Sequence, residues 1–129
     1  MQGVDKIIVV GHSLGSSLAT LVAFDSIESG YAKSVQLLTY ASPYTGDKTF
    51  VKAFESRILD SVRVVNKHDV VPKVPPPLFG YRHIWNKLEV NSYDNAGIKK
   101  SIACYHSLLT YLHMLDEAVP LSGKCSVEL

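Results

Sequence analysis

A chain of 129 residues suits one domain or a fragment of one and can bury roughly two-thirds of its unfolded surface. With 47% apolar and 19% charged residues it falls outside the disordered and collagen-like classes. A formal charge of +1, with both signs interleaved along the chain, gives no reason to expect a nucleic-acid partner.

The first residues, Met1-Gln2-Gly3-Val4-Asp5, carry no signal-peptide pattern, and Gln2 after the initiator excludes myristoylation of this terminus. Lys6 to Val10 is a short β-branched run with apolar side chains at consecutive positions. It predicts a central parallel strand covered on both faces. Gly11-His12-Ser13-Leu14-Gly15 breaks it, and a helix follows from about Leu14 to Ser29. Leu18, Leu21, Val22 and Ile27 form its apolar stripe and Gly30 closes it. Ser34–Tyr40 reads as a second strand, Ala41–Asp47 as a loop, Lys48–Leu59 as a helix and Ser61–Asn66 as a third strand.

After Lys67-His68-Asp69, the stretch from Val70 to Pro77 holds four prolines and is expected to be irregular. Tyr81–His83 and Lys87–Asn91 read as an antiparallel pair around Trp85, and Ser92–Ser101 as a polar loop. From Ser107 the chain is helical again, with Leu108, Leu109, Leu112, Leu115 and Val119 on one stripe up to Pro120. The last nine residues look frayed. Cys104 and Cys125 could form one bridge, but without a leader they read as free thiols in a reducing, cytoplasmic protein. No apolar run approaches the roughly 18 residues of a membrane span.

Alternating strands and helices over short loops predict an α/β fold, a mostly parallel sheet with helices on both faces. Only five residues precede the first strand, so its neighbours on one side are expected to come from elsewhere.

Gly11-x-Ser13-x-Gly15 between a strand and a helix has the form of a nucleophile elbow. A serine on such a strained turn projects its Oγ clear of the sheet, and small flanking residues let strand and helix approach. The helix start offers the Leu14 N–H to a developing oxyanion. A serine hydroxyl needs a base, and the base an orienting acid; with this elbow the chain order is serine, acid, histidine. Among the carboxylates Asp69 alone lies just past the C-terminal end of a buried strand, where parallel sheets present functional groups. Asp25 and Asp47 read as helix-surface and helix-start residues, and Asp60 is at the wrong end of its strand. Asp94 sits in a loop without a strand, and no histidine follows Asp116. His106, at a loop-to-helix junction, is the expected base. His83 suggests packing or substrate shaping, His113 a packed or capped side chain, and His12 support for the elbow. Metal chemistry is disfavoured: no H-x-x-x-H or close cysteine pair occurs, and no cofactor is expected.

These residues resemble the class 3 lipases, the fungal-type triacylglycerol lipases and plant phospholipase A1 relatives. Gly11-His12-Ser13-Leu14-Gly15 is similar to the family's G-H-S-L-G, and Ala41–Asp47 to its G-x-P-R-V-G-N/D loop. Arg63-Val64-Val65-Asn66-Lys67-His68-Asp69-Val70-Val71-Pro72-Lys73-Val74-Pro75 resembles the plant pattern around the catalytic acid. Tyr105-His106-Ser107 with Tyr111-Leu112-His113-Met114-Leu115-Asp116 resembles the plant ending whose first histidine is the base. Ser16 stands where the family usually has glycine and Tyr44 where it usually has arginine.

The resemblance implies the C-terminal part of an α/β-hydrolase domain over residues 1–129, with the N-terminal strands, the lid and the second oxyanion donor absent. It implies hydrolysis of lipid esters, triacylglycerol or phospholipid, at a membrane or droplet surface. The alternative is a weak or inactive remnant that binds or self-associates through the exposed Ile7–Val10 edge. An acyltransferase or thioesterase would use the same residues.

Overall fold

The computed structural model describes residues 3–127. Strand β1 (Val4–His12) runs into helix α1 (Leu14–Glu28), followed by β2 (Ala32–Tyr40), a two-residue β3 (Gly46–Asp47) and α2 (Lys48–Arg57). Then come β4 (Asp60–Asn66), two single 3₁₀ turns, β5 (Tyr81–Arg82), β6 (Lys87–Val90), the short α3 (Ile102–His106) and α4 (Leu108–Leu115). The main sheet has the order β1-β2-β4-β6, and every pairing in it is parallel. No helix among the described residues is long and apolar enough to cross a membrane.

Two apolar layers flank this sheet. On one face Ala19, Ala23 and Ile27 of α1 and Val51 and Phe54 of α2 pack with Val35 and Leu37 of β2. On the other, Tyr111 and Leu112 of α4 meet Leu38 and Tyr40 of β2 and Val62 and Val64 of β4. Helices thus lie on both faces, as a parallel sheet requires, because each strand carries apolar side chains to both sides. Phe54 and Tyr111 are fully buried; removing a side chain of that size from water contributes roughly 1.5–3 kcal/mol.

Several expectations from local pattern are corrected. Of the predicted stripe of α1 only Ile27 is buried: Leu18, Leu21 and Val22 are exposed, and Ser16, Ala19, Thr20, Ala23 and Ser26 face the sheet with Ile27. Small residues are needed there because the start of the helix lies against the end of β1. Among the described residues β1 has a neighbour on one side only, as expected, but it is not covered on both faces: Ile7 and Val9 lie against the core and Ile8 and Val10 are open to solvent. The last helix ends at Leu115 and not near Pro120, and of its predicted stripe only Leu112 packs on the core: Thr110 and Tyr111 are buried, while Leu108, Leu109 and Leu115 are exposed. Nor is there a hairpin around Trp85. β5 pairs antiparallel with β3, whereas β6 joins the main sheet beside β4 in parallel. The proline-rich stretch accommodates 3₁₀ turns at Val71–Lys73 and Pro77–Phe79, which need no extended ladder of N–H donors.

The C-terminal segment is also fastened rather than frayed. Cys104 and Cys125 form a disulfide with Cα atoms 5.4 Å apart, so they are not free thiols. Ile98 bridges Ser126, Lys99 N–H donates to Cys125 O at 2.8 Å, and Val127 N–H to Gly97 O at 2.9 Å. The thiol argument for a reducing compartment is thereby removed. Residues 128 and 129 of that tail lie outside the described residues.

Candidate active site

The three expected side chains come from three separate elements and meet above the C-terminal edge of the sheet. Ser13 sits between β1 and α1 at φ 58° and ψ −128°, a conformation that L residues rarely adopt. It is held there by its own N–H donating to Tyr40 O at 3.0 Å. Ser16 Oγ donates to the same carbonyl at 2.9 Å, and the Ser16 N–H to Ser13 O at 2.9 Å. The serine at the usual glycine position thus ties the helix start to β2. A Cβ at Gly11 would lie 2.3 Å from Gly15 O, so the strand–helix junction closes only with glycine at that position. A Cβ at Gly15 meets nothing within 4 Å. The expectation that both flanking glycines are needed for close approach therefore holds for Gly11 and fails for Gly15.

Ser13 Oγ–H donates to His106 Nε2 at 2.8 Å. On the other side of the ring, Nδ1–H lies 2.9 Å from Asp69 Oδ2 and 3.1 Å from Oδ1. That network assigns the Nδ1–H tautomer. Asp69 follows the tight turn that ends β4, where its N–H donates to Asn66 O at 2.9 Å. Its side chain has no solvent exposure, against 25% for His106. Oδ1 also accepts the Val71 N–H at 3.0 Å, and Oδ2 the Tyr111 hydroxyl at 2.7 Å. A buried carboxylate left without such donors would carry an uncompensated desolvation cost.

Tyr111 is the residue that sequence reasoning missed. Its oxygen also accepts the Asn66 N–H at 3.0 Å, and burial, reinforced by Asp69, holds its hydroxyl above the ordinary phenol range. It therefore stays a donor at any working pH. The signal was present in the Tyr111-Leu112-His113 motif, which carried no role for its first residue. Asn66 is the second omission. Its Nδ2 donates to Ser92 Oγ at 2.7 Å and to Tyr105 O at 3.0 Å, and its Oδ1 accepts the Ser92 N–H at 3.0 Å. One buried amide so joins the end of β4 to the residue before His106.

The four remaining histidines take different positions, His68 with its ring 4.9 Å from that of Tyr93 and 5.7 Å from that of Tyr105. His12 Nε2–H donates to the backbone oxygen of His106 at 2.8 Å, and its ring lies 4.9 Å from the His106 ring. It braces the His106 backbone and has no hydrogen bond to Ser13 Oγ. His83 donates from Nε2 to Pro72 O at 2.6 Å and stacks on Tyr44 at 3.7 Å. Burial first, then the positive charges of Arg63 and Lys87, push it down to about 4. His113 Nδ1–H donates to Val119 O at 2.7 Å, a capped side chain remote from Ser13. Leu14 opens α1 directly after Ser13, so its N–H belongs to the turn that has no intrahelical acceptor. Asp25, Asp60, Asp94 and Asp116 are exposed, and Asp47 caps α2 by accepting the Phe50 N–H at 2.8 Å.

Residues 2–79 match the family model described as Lipase (class 3). Phospholipase A1-II 4 of Oryza sativa subsp. japonica is 40% identical over 131 residues, covering 96% of this chain and 33% of the relative. Mono- and diacylglycerol lipase from Aspergillus oryzae superposes with a TM-score of 0.63 at 33% identity, over 73% of this chain and 34% of that one. A triacylglycerol lipase whose catalytic centre is described as a serine protease triad superposes with a TM-score of 0.63 at 28% identity. That likeness covers 84% of this chain and 46% of the other. The chain spans about a third of the length of the curated relatives it matches. With an elbow serine, a buried aspartate and a histidine between them on an α/β-hydrolase sheet, and these relatives around it, the chain belongs to the class 3 lipase family.

Proposed function

We propose that the chain carries the acyl-transfer machinery of a lipid ester hydrolase, with Ser13 as nucleophile, His106 as base and Asp69 as orienting acid. The observation that carries this reading is the continuous hydrogen-bonded line from Ser13 Oγ through the His106 ring to Asp69. Ser13 Oγ attacks the ester carbonyl carbon as His106 Nε2 takes its proton, and the Leu14 N–H faces the oxyanion. His106 returns the proton to the departing alcohol, leaving an acyl-serine. Water then attacks the acyl carbon, giving its proton to His106, and the carboxylic acid leaves as Ser13 regains its hydrogen. Asp69 holds the tautomer and stabilises the imidazolium without taking the proton. The substrates are triacylglycerol or phospholipid at a membrane or droplet surface, a reading supported by the lipase and phospholipase A1 relatives.

A fluorophosphonate reagent tests this directly. It is expected to label the chain at Ser13 and to leave Ser13→Ala unlabelled; absence of labelling in the folded wild type would falsify the nucleophile assignment.

The exposed Ile8, Val10, Leu14 and Leu18 favour a second reading, in which the chain is a weak catalyst that associates through β1 and the outer face of α1. A monomer by light scattering that turns over a short-chain nitrophenyl ester contradicts it.

A further inference from the structure

Beyond the active site, the segment that follows Asp69 combines features the catalytic reading does not use. Between β4 and β6 the chain folds into a loop whose tip is the 3₁₀ turn Pro77–Phe79, with Leu78 81% and Phe79 68% exposed. These are among the largest exposures of any apolar side chain described, and Val74 beside them is 47% exposed. The tip is not slack. Pro75, Pro76 and Pro77 restrict its backbone, and Phe79 N–H and Gly80 N–H close back on Pro76 O and Pro77 O at 3.1 and 2.9 Å. Its base is fixed by the Tyr44 N–H donating to Val74 O at 2.9 Å and by the pairing of β3 with β5. A preformed apolar projection loses little conformational entropy when it docks.

The charge around it has one sign. Between Lys67 and Leu88 the sequence holds Lys67, Lys73, Arg82 and Lys87, and its only acid is Asp69, which is buried and hydrogen-bonded in the triad. A groove beside the loop is lined by Arg63, Lys67, Lys73, His83 and Lys87, with Glu89 as its one acid. Glu89 is already engaged by Lys87 at 3.2 Å. Arg63 Nε–H donates to Ile84 O at 2.6 Å, and no carboxylate among the described residues pairs with its guanidinium. An apolar tip next to a groove in which Arg63, Lys67 and Lys73 have no carboxylate partner among the described residues matches the two layers of an anionic bilayer, hydrocarbon beneath phosphate.

We propose that this loop is a docking face for anionic phospholipid surfaces: Leu78 and Phe79 enter the acyl layer, and Lys67 and Lys73 engage the phosphates. The inference deepens the lipid-ester reading and rests on it for the surface on which hydrolysis takes place. Because the loop leaves the same end of β4 that presents Asp69, docking there brings the carboxyl edge of the sheet to the lipid.

The test is co-sedimentation of the full chain, in a Ser13→Ala background so that no lipid is consumed. The vesicles are phosphatidylcholine alone and phosphatidylcholine mixed with phosphatidylglycerol. The single tryptophan, Trp85, is half exposed near the loop and provides a fluorescence shift as a second readout. Wild-type sequence is expected to bind the mixed vesicles, and more weakly as salt rises. Lys67→Gln/Lys73→Gln is expected to lose roughly 25-fold in partitioning to anionic vesicles, about fivefold for each cation. Leu78→Ser/Phe79→Ser is expected to abolish binding with an unchanged circular-dichroism spectrum and melting midpoint. The proposal is overturned if the parent protein ignores anionic vesicles. It is equally overturned if the folded loop variant binds as well as its parent, or if only Leu18→Ser/Val22→Ser on the open face of α1 releases it. Labelling of Ser13 is read separately, so this inference and the hydrolase reading can fail independently.

Discussion

Tyr111 donates its hydroxyl to Asp69 Oδ2 at 2.7 Å from a position with no solvent exposure, and the same oxygen accepts the Asn66 N–H. One phenol thus serves both the Asp69 carboxylate and the last backbone donor of β4. Tyr111→Phe leaves both groups buried with one partner fewer. The expected cost is about 1.5–3 kcal/mol of stability, the range for a hydrogen bond to a charged group. Thermal denaturation reads this as a lower midpoint, and fluorophosphonate labelling of Ser13 is expected to slow. An unchanged midpoint would mean that water replaces the hydroxyl.

The two elbow glycines are expected to respond in opposite ways. Gly11→Ala places a methyl 2.3 Å from Gly15 O and 2.6 Å from its carbonyl carbon, both backbone atoms that cannot move aside. It is expected to lower stability by several kcal/mol or to prevent folding. Gly15→Ala finds open space within the first turn of α1. It is expected to be neutral or to gain up to about 1 kcal/mol from helix propensity. Chemical denaturation of the two variants side by side decides the matter.

His83 links stability to pH. Its folded value of about 4 lies below the ordinary 6.5, so the unfolded chain binds the proton first as pH falls. The contribution of neutral His83 is therefore intact above pH 6.5 and is lost progressively towards pH 4. The melting midpoint is expected to drop across that window, and His83→Gln is expected to flatten the slope there. A slope that persists unchanged assigns the acid sensitivity to other groups.

The Cys104–Cys125 bridge closes a loop of 21 residues in sequence separation. Loss of such a cross-link typically removes about 3 kcal/mol. Cys125→Ser is expected to lower the midpoint accordingly and to release the segment that pairs with Gly97–Lys99. Since Cys104 lies two residues before His106 on α3, labelling of Ser13 is expected to fall as well. Reductant added to the wild type should reproduce the variant; if labelling survives both, the hydrogen bonds around Asn66 suffice to hold the base.

The order β1-α1-β2-α2-β4 was legible because these strands are apolar runs bounded by turn residues, whereas β3 was read as loop and α3 was not foreseen, each being too short to carry a periodic signal. The convergence of Ser13, Asp69 and His106 was legible for a related reason, since chain order and strand ends constrain which residues a parallel sheet can bring together. Burial was harder to read. Leu18, Leu21 and Val22 look like a core stripe, but the side of α1 that meets the sheet is chosen by the crowded junction at Gly11, which admits only small residues. Tyr81–Arg82 and Lys87–Val90 look like a hairpin, but β6 is claimed by β4 and β5 by β3, partners far away in sequence. The Cys104–Cys125 bridge was open in the sequence but was set aside for free thiols, because nothing local says that residue 125 folds back onto residue 104.

The amide of Asn66 gives the site an uneven stiffness. It bonds both the strand that delivers Asp69 and the backbone just before His106, so those two side chains are tied through one residue. Ser13 is anchored separately, by its N–H to Tyr40 O, and meets that assembly through its own Oγ and through the His12 link to the His106 carbonyl. Of the two contacts made by the His106 ring, the one to Ser13 therefore spans separately anchored segments, whereas the one to Asp69 lies within a segment that a single amide holds together.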